Sequence, residues 1–231
     1  MIQLYELCGK DRDTVFSPFA WRVHLFLQHK GLSYTSVPTR FLEKEKYAPS
    51  GSKTVPVLKD GDTWVADSFV IAHYLDDTYP EAPLFDSASS RAQAYFLNDW
   101  IARTVVRPLF PMIVVDIVQE QTEDCADYFR LSREKFLGCT LEDAQATRPE
   151  ALPVFRQSLQ PLRKALADNA FLCGPTPAWF DYAVFGTLMW PQVISDIKLF
   201  EEDDILNSWF GRMMDLFDGY CRKAKTVHRS G

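Results

Sequence analysis

Along the first part of the chain the apolar positions change period several times. "IQLYEL", residues 2–7, alternates apolar and polar side chains and predicts a strand. Phe19, Val23, Phe26 and Leu27 then recur at helical spacing over 18–30, with Ser17-Pro18 as the start and Gly31 as the stop. "SYTSVP" (33–38) predicts a second strand, and the charged "FLEKEKYA" (41–48) a short exposed helix. "TVPVL" and "TWVA", on either side of Asp60-Gly61, read as a β-hairpin. Ser68 opens another helix, with Phe69, Ala72, His73, Leu75 and Asp76 stepping round it until Pro80. Residues 1–79 therefore predict a small α/β domain.

From 80 to 90 the composition shifts to Pro, Ser and Ala, which marks a linker. Beyond it the pattern is helical throughout, over about 91–119, 125–137, 149–168, 179–193 and 205–222, so 91–231 predicts an all-helical domain. Pro108 and Pro111 should interrupt the first of these helices, because proline removes a backbone bond and clashes with the preceding turn.

Composition narrows the class of partner. The net charge of −6, with no Lys/Arg-rich run, argues against a general nucleic-acid or anionic-membrane binder. No segment has the pattern of a signal peptide or the apolar length of a membrane span. The five cysteines form no C-x-x-C pair and read as thiols in a reducing, cytoplasmic setting. His24, His29, His73 and His228 have no ligand spacing, and no metal site is expected.

Two short stretches carry candidate chemistry. In "TVPVL", Pro56 cannot donate to a strand ladder, so it belongs at an edge or in an unusual turn; an ordinary edge proline is the simpler account. A cis Val55–Pro56 bond would instead leave the Val55 N–H and C=O free to pair with a bound peptide. In "ADSFVIAHYL", Ser68 fits as the N-cap of the following helix, with Asp67 adding favourable charge. The same geometry would accept a carboxylate at the helix start and an ammonium at Asp67.

Taken in this order, these elements resemble a glutathione transferase, with a thioredoxin-like α/β N-terminal domain followed by an all-α C-terminal domain. "SPFAWR", "HKGL", "VADSFVIAHYLDDTYP", "FLGCTLEDAQA" and "MDLFDGY" are similar to the bacterial β-etherases and the etherase-like fungal class. The resemblance implies glutathione as co-substrate, no metal, and a homodimer. It implies that Ser17 stabilises the glutathione thiolate, that Val55 ahead of a cis Pro56 pairs with the cysteinyl unit, and that Asp67 and Ser68 hold the γ-glutamyl end. Lys53 and Arg40 are the candidates for the glycyl carboxylate. An acceptor pocket for an aromatic or phenolic ligand would lie between the domains, with Trp100, Arg103, Phe110, Phe171, Trp179 and Trp190 as candidates. A ligand-binding protein of the same fold that sequesters phenolics is the alternative. Cys8, at the end of the first strand, keeps open a thiol-transferase role.

One departure from the family pattern stands out. The helix containing "PAWFDY" lacks a capping oxygen at Ala178, three residues before Asp181. Loss of such a cap typically costs about 1 kcal/mol, so another source of local stability is expected.

Overall fold

Strand β1 (Ile2–Leu7) and β2 (Tyr34–Thr39) run parallel, with Ile2 opposite Tyr34 and Leu7 opposite Thr39, in the computed structural model of the protein, which describes residues 1–227. His228 and the end of the expected helical region lie outside those residues. A parallel pair needs a crossover, and helix α1 (Pro18–His29) supplies it. Strand β3 (Val57–Asp60) pairs antiparallel with β1, and β4 (Thr63–Ala66) with β3, giving the order β2-β1-β3-β4.

Alternation along the strands gives the sheet two different faces. Leu4 and Leu58 join the main core with Phe26 and Leu27 of α1 and with Ile71 and Leu75 of α2 (Ser68–Thr78). Tyr5 and Val57 face the other way and pack with Tyr47, from a short 3-10 helix (Lys44–Ser50). The exposed helix expected at 41–48 is thus a later and tighter one, and it covers a sheet face.

The second half is helical. α3 (Ala88–Ile101) passes through a π-helical turn (Ala102–Val106) into the one-turn α4 (Arg107–Leu109). A 3-10 turn (Pro111–Ile113) then leads to α5 (Val114–Gln119). The interruption expected at Pro108 and Pro111 is therefore present, and the π-turn precedes it. There follow α6 (Glu123–Leu137), α7 (Leu141–Ala146), α8 (Arg148–Ser158), α9 (Gln160–Leu166), α10 (Trp179–Ile194) and α11 (Ile205–Gly219). The last of these leaves helical geometry at Leu216, Phe217 and Asp218 before a 3-10 turn at Tyr220–Lys223.

Helix α10 is buried almost along its whole length and packs on α1. The contact needs Gly186, because a Cβ there would meet the Arg22 backbone nitrogen at 2.6 Å. Arg22 crosses the same contact, donating to Thr187 Oγ1 at 2.9 Å and to Asn98 Oδ1 at 3.1 Å. Burial of its guanidinium pulls the pKa down to about 10. Helix α1, and with it Ser17, is thereby fixed against the helical half. At the start of α10, Asp181 supplies the local stability by tying the preceding loop to the helix instead of capping its first turn. Its carboxylate accepts from the backbone N–H groups of Leu172, Cys173 and Ala178 and from Trp209 Nε1.

Candidate functional site

The loop after β1 is pinned on both sides before it reaches Ser17. Cys8 N–H donates to Thr39 O, Phe16 N–H to Leu7 O, and Trp21 Nε1 to Val15 O. Ser17 then sits in extended geometry as the N-cap of α1, with its hydroxyl oxygen accepting from Ala20 N–H at 3.3 Å. It is 4% exposed and lies on the wall of a cavity of about 400 Å³. The cap bond uses a lone pair on the oxygen, so the hydroxyl proton stays available to a ligand. Capping and chemistry are compatible at this residue.

Val55, Pro56 and Asp67 line the same cavity. The Val55–Pro56 bond is cis, so the edge-proline account is corrected. The Val55 N–H and C=O have no hydrogen-bond partner among the described residues, and strand β3 begins only after Pro56. Asp67, not Ser68, is the cap of α2: its Oδ1 accepts from Phe69 N–H at 2.8 Å and Val70 N–H at 3.2 Å. A positive φ of 77° at Asp67 turns the chain so that its carboxylate reaches those groups, which moves the cap one residue earlier. Ser68 is 2% exposed, inside the first turn of α2 and off the cavity wall.

Arg40, Lys53, Phe110 and Trp190 also line the cavity. Arg40 donates from Nη2 to Lys10 O at 2.8 Å, while its Nε is buried without a partner. Trp190 stacks on Phe110, with centroids 5.8 Å apart and planes 18° from parallel. Four expected pocket residues lie elsewhere. Trp100 packs edge-on to Phe180, and Arg103 pairs with Asp99 on the exposed face of the π-turn. Phe171 lies under the Arg212 guanidinium, and Trp179 packs between Phe69 and Phe85. Helical spacing gives each residue an angle around its helix, not the neighbour that face will meet.

The cavity recruits residues that the sequence reading passed over, among them Phe41, Lys44, Tyr128, Phe129 and Arg133. Phe16, Phe41, Phe129, Phe110 and Trp190 form a run of ring contacts, with successive centroids 5.4–6.4 Å apart. The i,i+4 pair Phe129 and Arg133 on the expected 125–137 helix was the available signal. Cys8, by contrast, is fully buried and off the cavity wall, and burial pushes its thiol up to about 11. Such a thiol carries little thiolate at neutral pH. Among the described residues no group of three His, Cys, Asp or Glu side chains is placed to hold a metal ion. No helix among them is long and apolar enough to cross a membrane.

Comparison with known proteins agrees with this architecture. The family model for the glutathione S-transferase C-terminal domain matches residues 92–220, and that for the N-terminal domain matches 16–78. The chain belongs to the glutathione S-transferase family. A zeta-class glutathione S-transferase of Euphorbia esula is 31% identical over 110 residues, covering 46% of this chain and 49% of that protein. The chain thus spans about half the length of that relative. Two solved structures share the fold over nearly the whole chain. One is a glutathione S-transferase of Ceriporiopsis subvermispora in complex with glutathione, with a TM-score of 0.84, 23% identity and 99% of each chain covered. The other is glutathione transferase GSTFuA3 of Phanerochaete chrysosporium, with a TM-score of 0.80, 22% identity and coverage of 99% of this chain and 98% of that one.

Proposed function

We propose that the protein is a serine-type glutathione transferase acting on aromatic electrophiles. The observation that carries this reading is Ser17: a hydroxyl with its proton to spare, on one cavity wall with the free backbone of Val55 and the carboxylate of Asp67. Glutathione laid along this wall would pair its cysteinyl backbone with Val55 and its ammonium with Asp67. The turn at Asp67 that starts α2 would hold the γ-glutamyl end without Ser68, and Lys53 and Arg40 would face the glycyl carboxylate. Its sulfur would then meet Ser17 at the start of α1.

The chemistry follows from the charge on sulfur. A free thiol with a pKa of ~8.5 is mostly protonated at neutral pH, and only the thiolate is an effective nucleophile. Lowering that pKa by ~2 units takes about 2.7 kcal/mol of differential stabilisation. A hydrogen bond from Ser17 to the anion and the positive end of α1 supply an effect of that size together. The thiolate attacks an electrophilic carbon; the C–S bond forms, the bond to the leaving group breaks, and the thiol proton passes to solvent. In an α-aryloxy ketone the leaving group is a phenol, which is the etherase form of the same step.

That finer reading rests on sequence likeness, above all "FLGCTLEDAQ". In the fold this segment makes a corner: Gly138 ends α6, Thr140 caps α7, and Gln145 Oε1 accepts from Val115 N–H at 2.8 Å. Its role is architectural, so it speaks for kinship and leaves the ether substrate to the cavity. Self-association fits Val70 on α2 with Tyr95 and Phe96 on α3, all large apolar side chains exposed on one protomer.

A panel with glutathione tests the proposal, using a halogenated nitroaromatic, an isothiocyanate and an α-aryloxy ketone. Ser17→Ala is expected to keep glutathione affinity and lose about 10²–10³-fold in turnover, as removal of a donor to a developing or bound anion does. Equal turnover in the variant overturns the role of Ser17. Turnover of the ketone supports the etherase form, whereas tight aromatic binding by the wild type without turnover supports the carrier.

A further inference from the structure

Helix α6 carries two arginines with opposite fates. Arg130 is paired with Glu134 and Glu142. Arg133, on the cavity wall, has no carboxylate partner among the described residues. Its hydrogen bond to Ser132 Oγ is a long 3.4 Å, and its guanidinium lies over the Phe129 ring, 5.2 Å from the centroid. Burial weakens the hold of this guanidinium on its proton, as expected where a cation is desolvated without an anion. Lys44, a neighbour on the wall, is engaged with Tyr128, with its Nζ 3.3 Å from the hydroxyl. Lys53 and Arg40 are taken up by the glycyl carboxylate in the reading above.

The same wall offers an unmet donor. Trp190 Nε1 is buried without an acceptor, and its ring is stacked on Phe110. Buried donors without partners are uncommon in folded proteins, and this one, on the same cavity wall as a guanidinium that lacks a carboxylate, points to a ligand rich in acceptor atoms. Arginine suits a carboxylate in particular, because its planar fork matches the two oxygens while its face rests on a ring.

We propose that Arg133 selects the second substrate, an aromatic carboxylate whose ring lies along the Phe110–Trp190 stack and whose anionic group pairs with the guanidinium. The proposal rests on the transferase reading for the position of glutathione. The carboxylate itself takes no part in the bond changes; Arg133 positions it.

The test uses 4-chloro-3-nitrobenzoate and its methyl ester, a pair that differs in charge at the group Arg133 would hold. Their binding is read by tryptophan fluorescence quenching, with unreactive S-methylglutathione present. The wild type is expected to bind the acid about tenfold more tightly than the ester, a modest return for one charge-assisted pair. Arg133→Met should bring that ratio close to one, Arg133→Lys should keep part of it, and added salt should weaken the acid alone. A ratio near one in the wild type, or one unchanged in Arg133→Met, overturns the proposal. So does a loss confined to S-methylglutathione affinity, which would assign Arg133 to glutathione. If Arg133→Met does not fold, Arg133→Lys and the salt dependence of the wild type decide by the same criteria. Chloride release with glutathione is measured separately, as sulfur replaces chlorine on the ring. An acid preference without chloride release supports the anion site and counts against the transferase reading.

Discussion

Helix α1 begins at Ser17-Pro18 and α10 at Ala178-Trp179, and the two starts are satisfied in opposite ways. At α1 a serine caps with a lone pair, which leaves its proton unspent at a cavity wall. At α10 no capping oxygen exists, and Asp181 gives its carboxylate to four internal donors. Asp181 is fully buried, and burial outweighs those donors in raising its pKa, so this is a carboxylate spent on structure. One helix start presents a capping hydroxyl to a cavity, and the other carries a first-turn carboxylate that gathers the donors of the loop before it, so one yields a reagent and the other a brace. What separates them is the remaining hydrogen-bonding capacity and whether it faces open space.

The largest effect in this comparison should come from breaking the brace. Asp181→Ala leaves buried donors from Leu172, Cys173, Ala178 and Trp209 unmet, and is expected to cost about 3–5 kcal/mol in denaturant unfolding. A loss below 1 kcal/mol would mean that the donors find other partners.

Next comes Cys8, the thiol near the start of α1. With its thiol at about 11 against an ordinary 9.0, Cys8 should alkylate at pH 8 at least ~100-fold more slowly than an ordinary thiol. The native fold holds this proton more tightly than the unfolded chain. The stability it brings is therefore full below pH 9.0 and is lost as the pH rises towards about 11. Mass spectrometry of alkylated protein across pH 8 to 11 checks both the rate and its sign. Rapid modification of Cys8 at pH 8, without unfolding, would return it to the list of reagents.

The smallest effect is a repair. Ala178→Ser supplies the missing capping oxygen and should stabilise the protein by about 1 kcal/mol, read from the urea midpoint. No gain would show that the first-turn N–H groups of α10 are already satisfied without a capping oxygen.

Features set by neighbouring residues were legible in the sequence, and features set by tertiary contact were not. Ser17-Pro18, the Asp60-Gly61 turn and the helix breaks at Pro108 and Pro111 follow from backbone rules that act over a few residues. The cap at Asp67 was assigned to Ser68, because the positive φ that turns Asp67 has no glycine to announce it. Helix α7 escaped notice because six residues hold too little periodicity to stand out. The sequence points to Ser17, Arg40, Lys53, Val55, Pro56, Asp67, Phe110 and Trp190, and all of them line the cavity. It points equally to Trp100, Arg103, Phe171 and Trp179, which lie elsewhere, and does not single out Arg133. An arginine on a helix reads as solvated until the fold shows which wall it lies on and which carboxylates it lacks.

The central claim is that Ser17 has a proton left to give a sulfur anion. The direct measurement is the ultraviolet absorbance of the thiolate of bound glutathione, titrated with pH in the wild type and in Ser17→Ala. The account predicts a bound thiol pKa lowered to about 6.5 in the wild type and raised by about one unit or more in the variant, where only the positive end of α1 is left to act on the sulfur. The same pKa in both proteins would contradict it.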